Sequence, residues 1–378
     1  MKIFLFTDTF YDTNGTSTFI EDIARMSQLH KVNLTVFFSN QKTPSSFYKN
    51  VNPIKKIAKM KMPFYPEFSL IFPNYFHVKK LLRENKPDII HISTPGPLGF
   101  CARRAAKKLG IPIAGTYHTN HPSYIYENTR SKLLENISKR VLKNFYKDFS
   151  LVFTRSKENK KLMISDIKIN SKKIKKIPIG INLQKFNNIK HGKYLLEKHQ
   201  IKEKIKFLYV GRLSDDKNIK FLIDTWNELM EEKLLDAALI LVGTGKYLNY
   251  PLINGYYFGE MKKDELLSVY TISDVFLFPS VTDTLGQVVI EAQISGLPAI
   301  VSNVGGPKEI IKKEPKSGIV KKIDKEKWKK AIKKLYEKKE FKKKLSKASK
   351  MKKHRYDILK SFEYFINIHQ KVLTKDKV

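Results

Sequence analysis

The sequence predicts an α/β fold of two doubly wound, parallel-sheet domains in tandem, and three observations carry that expectation. Short β-rich runs alternate with helical periods, the rhythm of βαβ units, and the alternation restarts midway along the chain. A Pro and a Gly punctuate the join at IPIGINLQKF, Ile177 to Phe186. The length of 378 residues also exceeds the ~250 at which a single core stops growing. The expected boundaries are residues 1–178, residues 182–350, and a C-terminal segment, 354–378, that crosses back onto the first domain.

In the first half the order is strand KIFLF, helix STFIEDIARM, strand KVNLTVFF, strand PDIIHIS, helix GFCARRAAKKLG and strand IPIAGTY. The strands are short apolar runs rich in β-branched and aromatic residues. The second half repeats the pattern with KIKFLYVG, NIKFLIDTWNELM, AALILVG, NGYYFG, DELLSVYTIS, DVFLFPS, QVVIEAQIS and PAIVS. After Val320 the chain turns Lys-dense, with 17 Lys against 4 acidic residues over 321–353. Trp328, Ile332, Leu335 and Tyr336 keep an i, i+4, i+7, i+8 stripe there, so the segment reads as exposed helices. KSFEYFINIHQKV then sets Phe362, Phe365, Ile366 and His369 on one helical face, which needs a surface to cover.

Composition narrows the class. A hydrophobic fraction of 42% with 24 Phe and 18 Tyr suffices for globular cores and argues against disorder. The net charge of +36 has three readings: Lys-rich codon bias, an anionic membrane surface, or a nucleic acid, in that order. Bias leads because Lys, Ile and Asn are abundant everywhere rather than in one patch. The sole cysteine, Cys101, excludes an intramolecular disulfide, as expected in a reducing compartment. MKIFLFTDTF is broken by Asp8 and too short for a signal peptide, and no apolar stretch approaches 18 residues. The expectation is a cytoplasmic protein that does not span the membrane.

Ligands of open α/β sheets sit beyond the carboxyl ends of the strands, so the residues following each strand are the informative ones. After the first strand come Thr7, Asp8 and DTNG, with Gly15 just before a helix in which Thr18 and Glu21 have capping-box spacing. STPGPLG, with Thr94 and Gly96, shapes a donor-rich approach to the next helix, an anion or sugar contact. His118 follows IPIAGTY at a strand end. VGRLSDDKN places Arg212 and Lys217 in a strand-to-helix loop, where two cations suit a diphosphate, although basic residues are common enough here for chance. LVGTGKY reads as a structural glycine turn. In PSVTDTLGQVVIEAQISGLP, Asp283 lies at a helix N-terminus, where complementing the dipole needs no ligand, and Glu291 falls about two turns further in. Glu291 sits among Val288, Val289, Ile290, Ala292 and Ile294, so its carboxylate requires donors.

These segments together resemble family 4 retaining glycosyltransferases of the GT-B fold, in which two Rossmann-like domains close on a nucleotide sugar. The resemblance is nearly chain-long: DTFYDTNGTST, YPEF, STPGPLG, GTYHTN, VGRLSDDK and TDTLGQVVIEAQISGLP, the last matching the family's E-x7-E motif. It implies that Glu291 accepts from the ribose hydroxyls and that Asp283 faces the transferred sugar. Thr284, Leu285 and Gly286 approach sugar and phosphates through their amides, with Gly15 also on the donor side. Arg212 and Lys217 offset the diphosphate charge, and His118 contacts the sugar near the reacting carbon. Tyr65, Glu67, Thr94, Gly96 and His118 stand on the acceptor side. The chain departs from the family pattern in having Asp283 for the first Glu, which favours positioning a hydroxyl over a nucleophile role. No Asp-x-Asp pair occurs, which fits the metal-independent chemistry of the family it resembles, and the resemblance implies no metal and no other cofactor.

The resemblance is greatest to lipid-directed mannosyl-, glucosyl- and sulfoquinovosyl-transferases. It implies transfer of a hexose from a UDP- or GDP-sugar to a membrane lipid or lipid-linked glycan at the inner face of the cell membrane. MKMPFYPEFSLIFPNYFHVKK and RSKLLENISKRVLKNFYK interleave basic and aromatic residues as an interfacial surface does, or as ordinary surface helices do. A soluble acceptor is the enzymatic alternative. A nucleic-acid-binding module accounts for the charge but leaves Asp283 and Glu291 unexplained, so no nucleic-acid partner is expected.

Overall fold

The structure, a computed structural model, describes all residues except 11, 13, 40–47, 63–64, 188–191, 234 and 376–378, and describes no side chain at 61–62, 65–69, 263–264 or 375. It divides into two compact units, Met1–Ile181 with Asp357–Val378, and Asn182–Tyr356.

The first unit contains β1 (Ile3–Thr7), α1 (Gly15–Leu29), β2 (Leu34–Phe38), β3 (Val51–Pro53), β4 (Lys56–Met62), β5 (Tyr65–Pro73), α2 (Tyr75–Asn85) and β6 (Ile89–Ile92). It continues with α3 (Pro97–Lys108), β7 (Ile113–Tyr117), α4 (His121–Thr129), α5 (Lys132–Tyr146), β8 (Leu151–Thr154), α6 (Lys157–Ser165) and β9 (Ile174–Lys176). Its parallel sheet runs β3-β2-β1-β6-β7-β8-β9. Every residue of β1 is buried, because a parallel sheet is covered on both faces and its strands read as unbroken apolar runs. Alternation sends Phe4 and Phe6 to one core and Ile3 and Leu5 to the other. β4 and β5 form a separate antiparallel hairpin, so residues 60–62 and 65–73 are strand rather than surface helix.

The second unit contains α7 (Lys193–Lys198), β10 (Ile205–Val210), α8 (Ile219–Glu231), β11 (Ala237–Val242), β12 (Gly255–Gly259), α9 (Lys263–Ile272) and β13 (Val275–Phe278). It closes with α10 (Gln287–Ile294), β14 (Ala299–Ser302), α11 (Pro307–Lys312), β15 (Gly318–Lys321), α12 (Lys325–Glu337) and α13 (Lys339–Met351). Its strand order, β12-β11-β10-β13-β14-β15, is again all parallel. The Lys-dense segment is α12 and α13, with Trp328, Ile332 and Leu335 buried beneath an exposed basic face. The unit extends to Tyr356 rather than residue 350. Lys352 ties the end of α13 to this unit, its buried ammonium donating to Ile310 O at 2.9 Å and Ser317 Oγ at 2.6 Å.

Helix α14 (Ile358–Lys375) belongs to the first unit and lays Phe362 and Phe365 into the core beside α1. Deeper in, His369 Nδ1 lies 2.7 Å from Phe365 O, so that nitrogen carries the proton and Nε2 accepts from His91 Nδ1 at 3.0 Å. His91 Nε2 then accepts from Thr116 Oγ1 at 3.0 Å, which leaves both imidazoles neutral. Burial pushes His369 down to about 4, and burial with nearby imidazoles pushes His91 well below its ordinary range. For a base held neutral in the folded state, the unfolded chain binds more protons, so stability is lost as pH falls from about 6.5 towards 4. Urea midpoints measured over that window should decline in the wild type and decline less in His369→Leu. Among the described residues no helix is long and apolar enough to cross a membrane.

Both sheets reverse their strand order once, between β1 and β6 in the first unit and between β10 and β13 in the second. A doubly wound sheet opens a ligand crevice at the carboxyl ends of such strands.

Candidate active site

In the second unit the loops leaving β10 and β13 are joined at the switch point. Thr282 Oγ1 donates to Asp216 O at 2.9 Å, and Lys217 Nζ donates to Asp283 Oδ2 at 2.7 Å. Asp216, 1% exposed, accepts from Arg212 Nη2 at 2.9 Å and from Ser214 Oγ at 2.6 Å, with Lys217 Nζ 3.8 Å away. Arg212 and Lys217 are thus held in place by two carboxylates, one of which, the buried Asp216, sequence reasoning passed over. Its signal was the second acidic residue in VGRLSDDKN. Burial pushes the Asp283 carboxyl up, but Lys217, the Ser280 hydroxyl and the Arg212 charge outweigh it and hold Asp283 below the usual carboxylate range. Asp283 is therefore ionised at neutral pH.

As expected, TDTLG is the loop ahead of the helix: α10 begins at Gln287, and Asp283 bonds Lys217 rather than complementing the helix dipole. Glu291 lies about one turn into α10, eight positions after Asp283. The chain enters α10 through Gly286, whose φ of 74° is strained for residues with a Cβ. Helix α10 has no side-chain cap, so its first amides keep their donors. Thr284 and Leu285 are buried, and the loop is backed by Gly305 and Gly306, a pair not singled out in the sequence. Gly306 N donates to Asp283 O at 2.9 Å, and a Cβ on Gly306 would overlap Thr284 O. Glu291, 8% exposed, accepts from Tyr270 Oη at 3.2 Å and Gln287 Nε2 at 3.3 Å, donors that its apolar surroundings require.

LVGTGKY is structural in the same sense. Gly243 and Gly245 lie against the backbone of Gly211 and Leu213, locking the β11 exit onto the β10 exit. On β12, Phe258 stacks with His199 at 4.0 Å between ring centroids.

In the first unit the switch point is held by a carboxylate. Asp8 accepts from Thr94 Oγ1 at 2.7 Å, Leu98 N at 2.7 Å and Gly99 N at 3.3 Å, so the N-terminus of α3 is filled from within rather than open to an anion. Burial pushes the Asp8 carboxyl up to about 6 against these donors. Gly96 is needed because a Cβ there would overlap that carboxylate. The first turn of α1 is likewise taken: Asn14 Oδ1 accepts from Thr16 N at 3.0 Å and Ser17 N at 2.9 Å. Asn14, not Thr18, is the cap, and Gly15 is the first helical residue behind it. Thr18 Oγ1 instead donates back to Asn14 O. His118 follows β7, half-buried, with its ring 5.2 Å from that of Phe19. Burial, then Arg155 and His121, lower it well below its ordinary range, so it is a neutral imidazole. Tyr65 and Glu67 are on β5, and their side chains lie outside the described residues.

Residues 13–185 match the family described as Glycosyltransferase Family 4, and residues 195–352 match Glycosyl transferases group 1. The chain is 28% identical to a sulfoquinovosyl transferase of Arabidopsis thaliana over 67% of its own length and 50% of the relative's. It is 27% identical to an alpha-monoglucosyldiacylglycerol synthase of Streptococcus pneumoniae over 79% of its length and 70% of that protein. The chain thus spans half the length of the plant relative. Among solved structures it resembles Anabaena HepE in complex with UDP, at 15% identity and a TM-score of 0.74, over 98% of this chain and all of the other. With both halves matched and two Rossmann-like parallel sheets in sequence, the chain belongs to family 4 of the GT-B glycosyltransferases.

Proposed function

We propose that this chain is a retaining α-hexosyltransferase that moves a hexose from a UDP- or GDP-sugar to a membrane lipid or lipid-linked glycan at the inner face of the cell membrane. The observation that carries the reading is the chain Arg212–Asp216–Lys217–Asp283 at the second unit's switch point, next to the uncapped N-terminus of α10. Two cations and open helix amides suit a diphosphate, and they stabilise it most as it leaves and gains charge. In this reading no step is given to a metal. Glu291 holds the ribose, and Thr284, Leu285 and Gly286 bring their backbone to the sugar and phosphates.

Asp283 orients Lys217 in the ligand-free protein and positions a sugar hydroxyl when donor is bound. Asp283→Asn should keep part of the activity, since its amide oxygen still accepts, whereas Asp283→Ala should lose about 1 to 3 kcal/mol of transition-state stabilisation. Equal loss in both variants would point to a nucleophile instead.

The lipid acceptor is supported by the names of the relatives and by the first unit's surface. On α5, Leu133, Ile137 and Val141 are exposed at i, i+4, i+8 between basic residues, and Ile57, Met60 and Phe76 are exposed near Lys55, Lys56 and Lys59. Each Lys near an anionic leaflet contributes about 1 kcal/mol. The protein should float with anionic vesicles at low salt, less at raised salt, and less after Lys55, Lys56, Lys59 and Lys61 become Ser; equal recovery on neutral lipid would favour a soluble acceptor. The function itself is tested by incubating UDP- and GDP-hexoses with membrane lipid in the presence of a chelator and reading the product's anomeric proton. An α-linked product supports the proposal; a β-linked product, or no transfer, contradicts it.

A further inference from the structure

The first unit carries a buried cation that the donor site does not use. Arg155 directly follows β8 at the carboxyl edge of the sheet and is 5% exposed. Its guanidinium lies 4.9 Å from the centroid of the Phe19 ring, the ring against which His118 also packs. Its Nε has no hydrogen-bond partner among the described residues. The same holds for Nδ2 of Asn159, 2% exposed, in the first turn of α6. The countercharge that acts on Arg155 is Asp22 of α1, and Asp22 Oδ1 is also 3.7 Å from Arg25 Nη2, so one carboxylate serves two guanidiniums. Burial lowers Arg155 to about 10, which leaves it charged at neutral pH.

A buried guanidinium with an unused Nε–H is costly unless an anion from outside takes it, and its planar fork matches a phosphate. Ligands of this sheet type arrive at the carboxyl edge, where Arg155 and His118 stand after adjacent strands β8 and β7. We infer that Arg155, with His118 against the same Phe19 ring, forms an anion pocket that takes a phosphate group carried by the acceptor. That phosphate belongs to a lipid headgroup or to a soluble phosphorylated acceptor; the chemistry of recognition is the same. The inference rests on the glycosyltransferase reading above, in which the first unit receives the acceptor.

The test is a calorimetric titration of inorganic phosphate onto the full chain at fixed ionic strength, in the wild type and in Arg155→Met, which keeps an unbranched side chain without the charge. Any phosphate bound at Arg212 and Lys217 is common to both proteins and cancels. The wild type should show one saturable site more than the variant; equal stoichiometry overturns the inference. If Arg155→Met melts below the working temperature, Arg155→Lys decides, because it keeps the charge and loses the fork. It should bind phosphate roughly ten- to a hundredfold more weakly, and unchanged affinity overturns the inference. Transfer assays with phosphatidylglycerol vesicles and with glycerol 3-phosphate separate the sources. A KM raised in Arg155→Lys for vesicles alone assigns the pocket to a headgroup, one raised for glycerol 3-phosphate alone assigns it to a soluble acceptor, and a KM unchanged for both overturns it. Binding of UDP and GDP, measured in the same samples, reports separately on the donor reading: its absence with the phosphate site intact would sink that reading and leave the pocket standing.

Discussion

Lys217→Ala should lower kcat by about a hundred- to a thousandfold, the loss typical of removing one preorganised group that stabilises developing charge. Lys217 Nζ is fixed between Asp283 Oδ2, at 2.7 Å, and the buried Asp216, at 3.8 Å. A cation held by two carboxylates reaches a leaving diphosphate without reorganising, and the attraction grows as the glycosidic bond breaks. Donor binding should weaken much less than turnover slows. The variant also removes the main charge holding Asp283 below the usual carboxylate range, so Asp283 should titrate at higher pH. The pH profile of the residual activity should therefore lose rate on its acidic side earlier than the wild type does. An unchanged kcat would remove Lys217 from the reaction.

Glu291→Ala should behave in the opposite way. A ribose contact is present in ground and transition states alike, so nucleotide binding should weaken roughly ten- to a hundredfold while kcat changes little. The variant also strips Tyr270 Oη and Gln287 Nε2 of their acceptor, which should cost about 1 to 3 kcal/mol of stability. Glu291→Gln restores an acceptor and separates the two effects: stability should recover more than ribose affinity. Full nucleotide affinity in Glu291→Ala would remove it from the donor site.

The architecture was legible because it rests on local pattern. β1, β11 and β13 are apolar runs of four to six residues that only a doubly covered sheet accommodates. The stripe on α14 announced a covered helix by its period alone. What sequence reasoning missed depends on partners far apart in the chain. Asp8 meets Thr94 and Leu98 across separations of 86 and 90 residues, so nothing near Asp8 shows that it fills the N-terminus of α3. Lys217 and Asp283 were each singled out, but a bond across 66 residues has no local signature. The cap of α1 was misplaced for another reason. Thr18-x-x-Glu21 has the right spacing, but Asn14 stands a turn earlier, and a cap ahead of the first helical residue satisfies amides that a residue inside the helix does not reach. The β4–β5 hairpin was hidden by basic and aromatic residues that fit a surface helix equally well.

The central claim is that the switch point of the second unit holds the diphosphate of a nucleotide sugar. Calorimetric titration of UDP and of GDP onto the wild-type chain and Glu291→Ala, without added metal, tests it most directly. One of the two nucleotides should bind the wild type at one site per chain and bind the variant at least tenfold more weakly. Binding of neither nucleotide, or equal binding to both proteins, would contradict it.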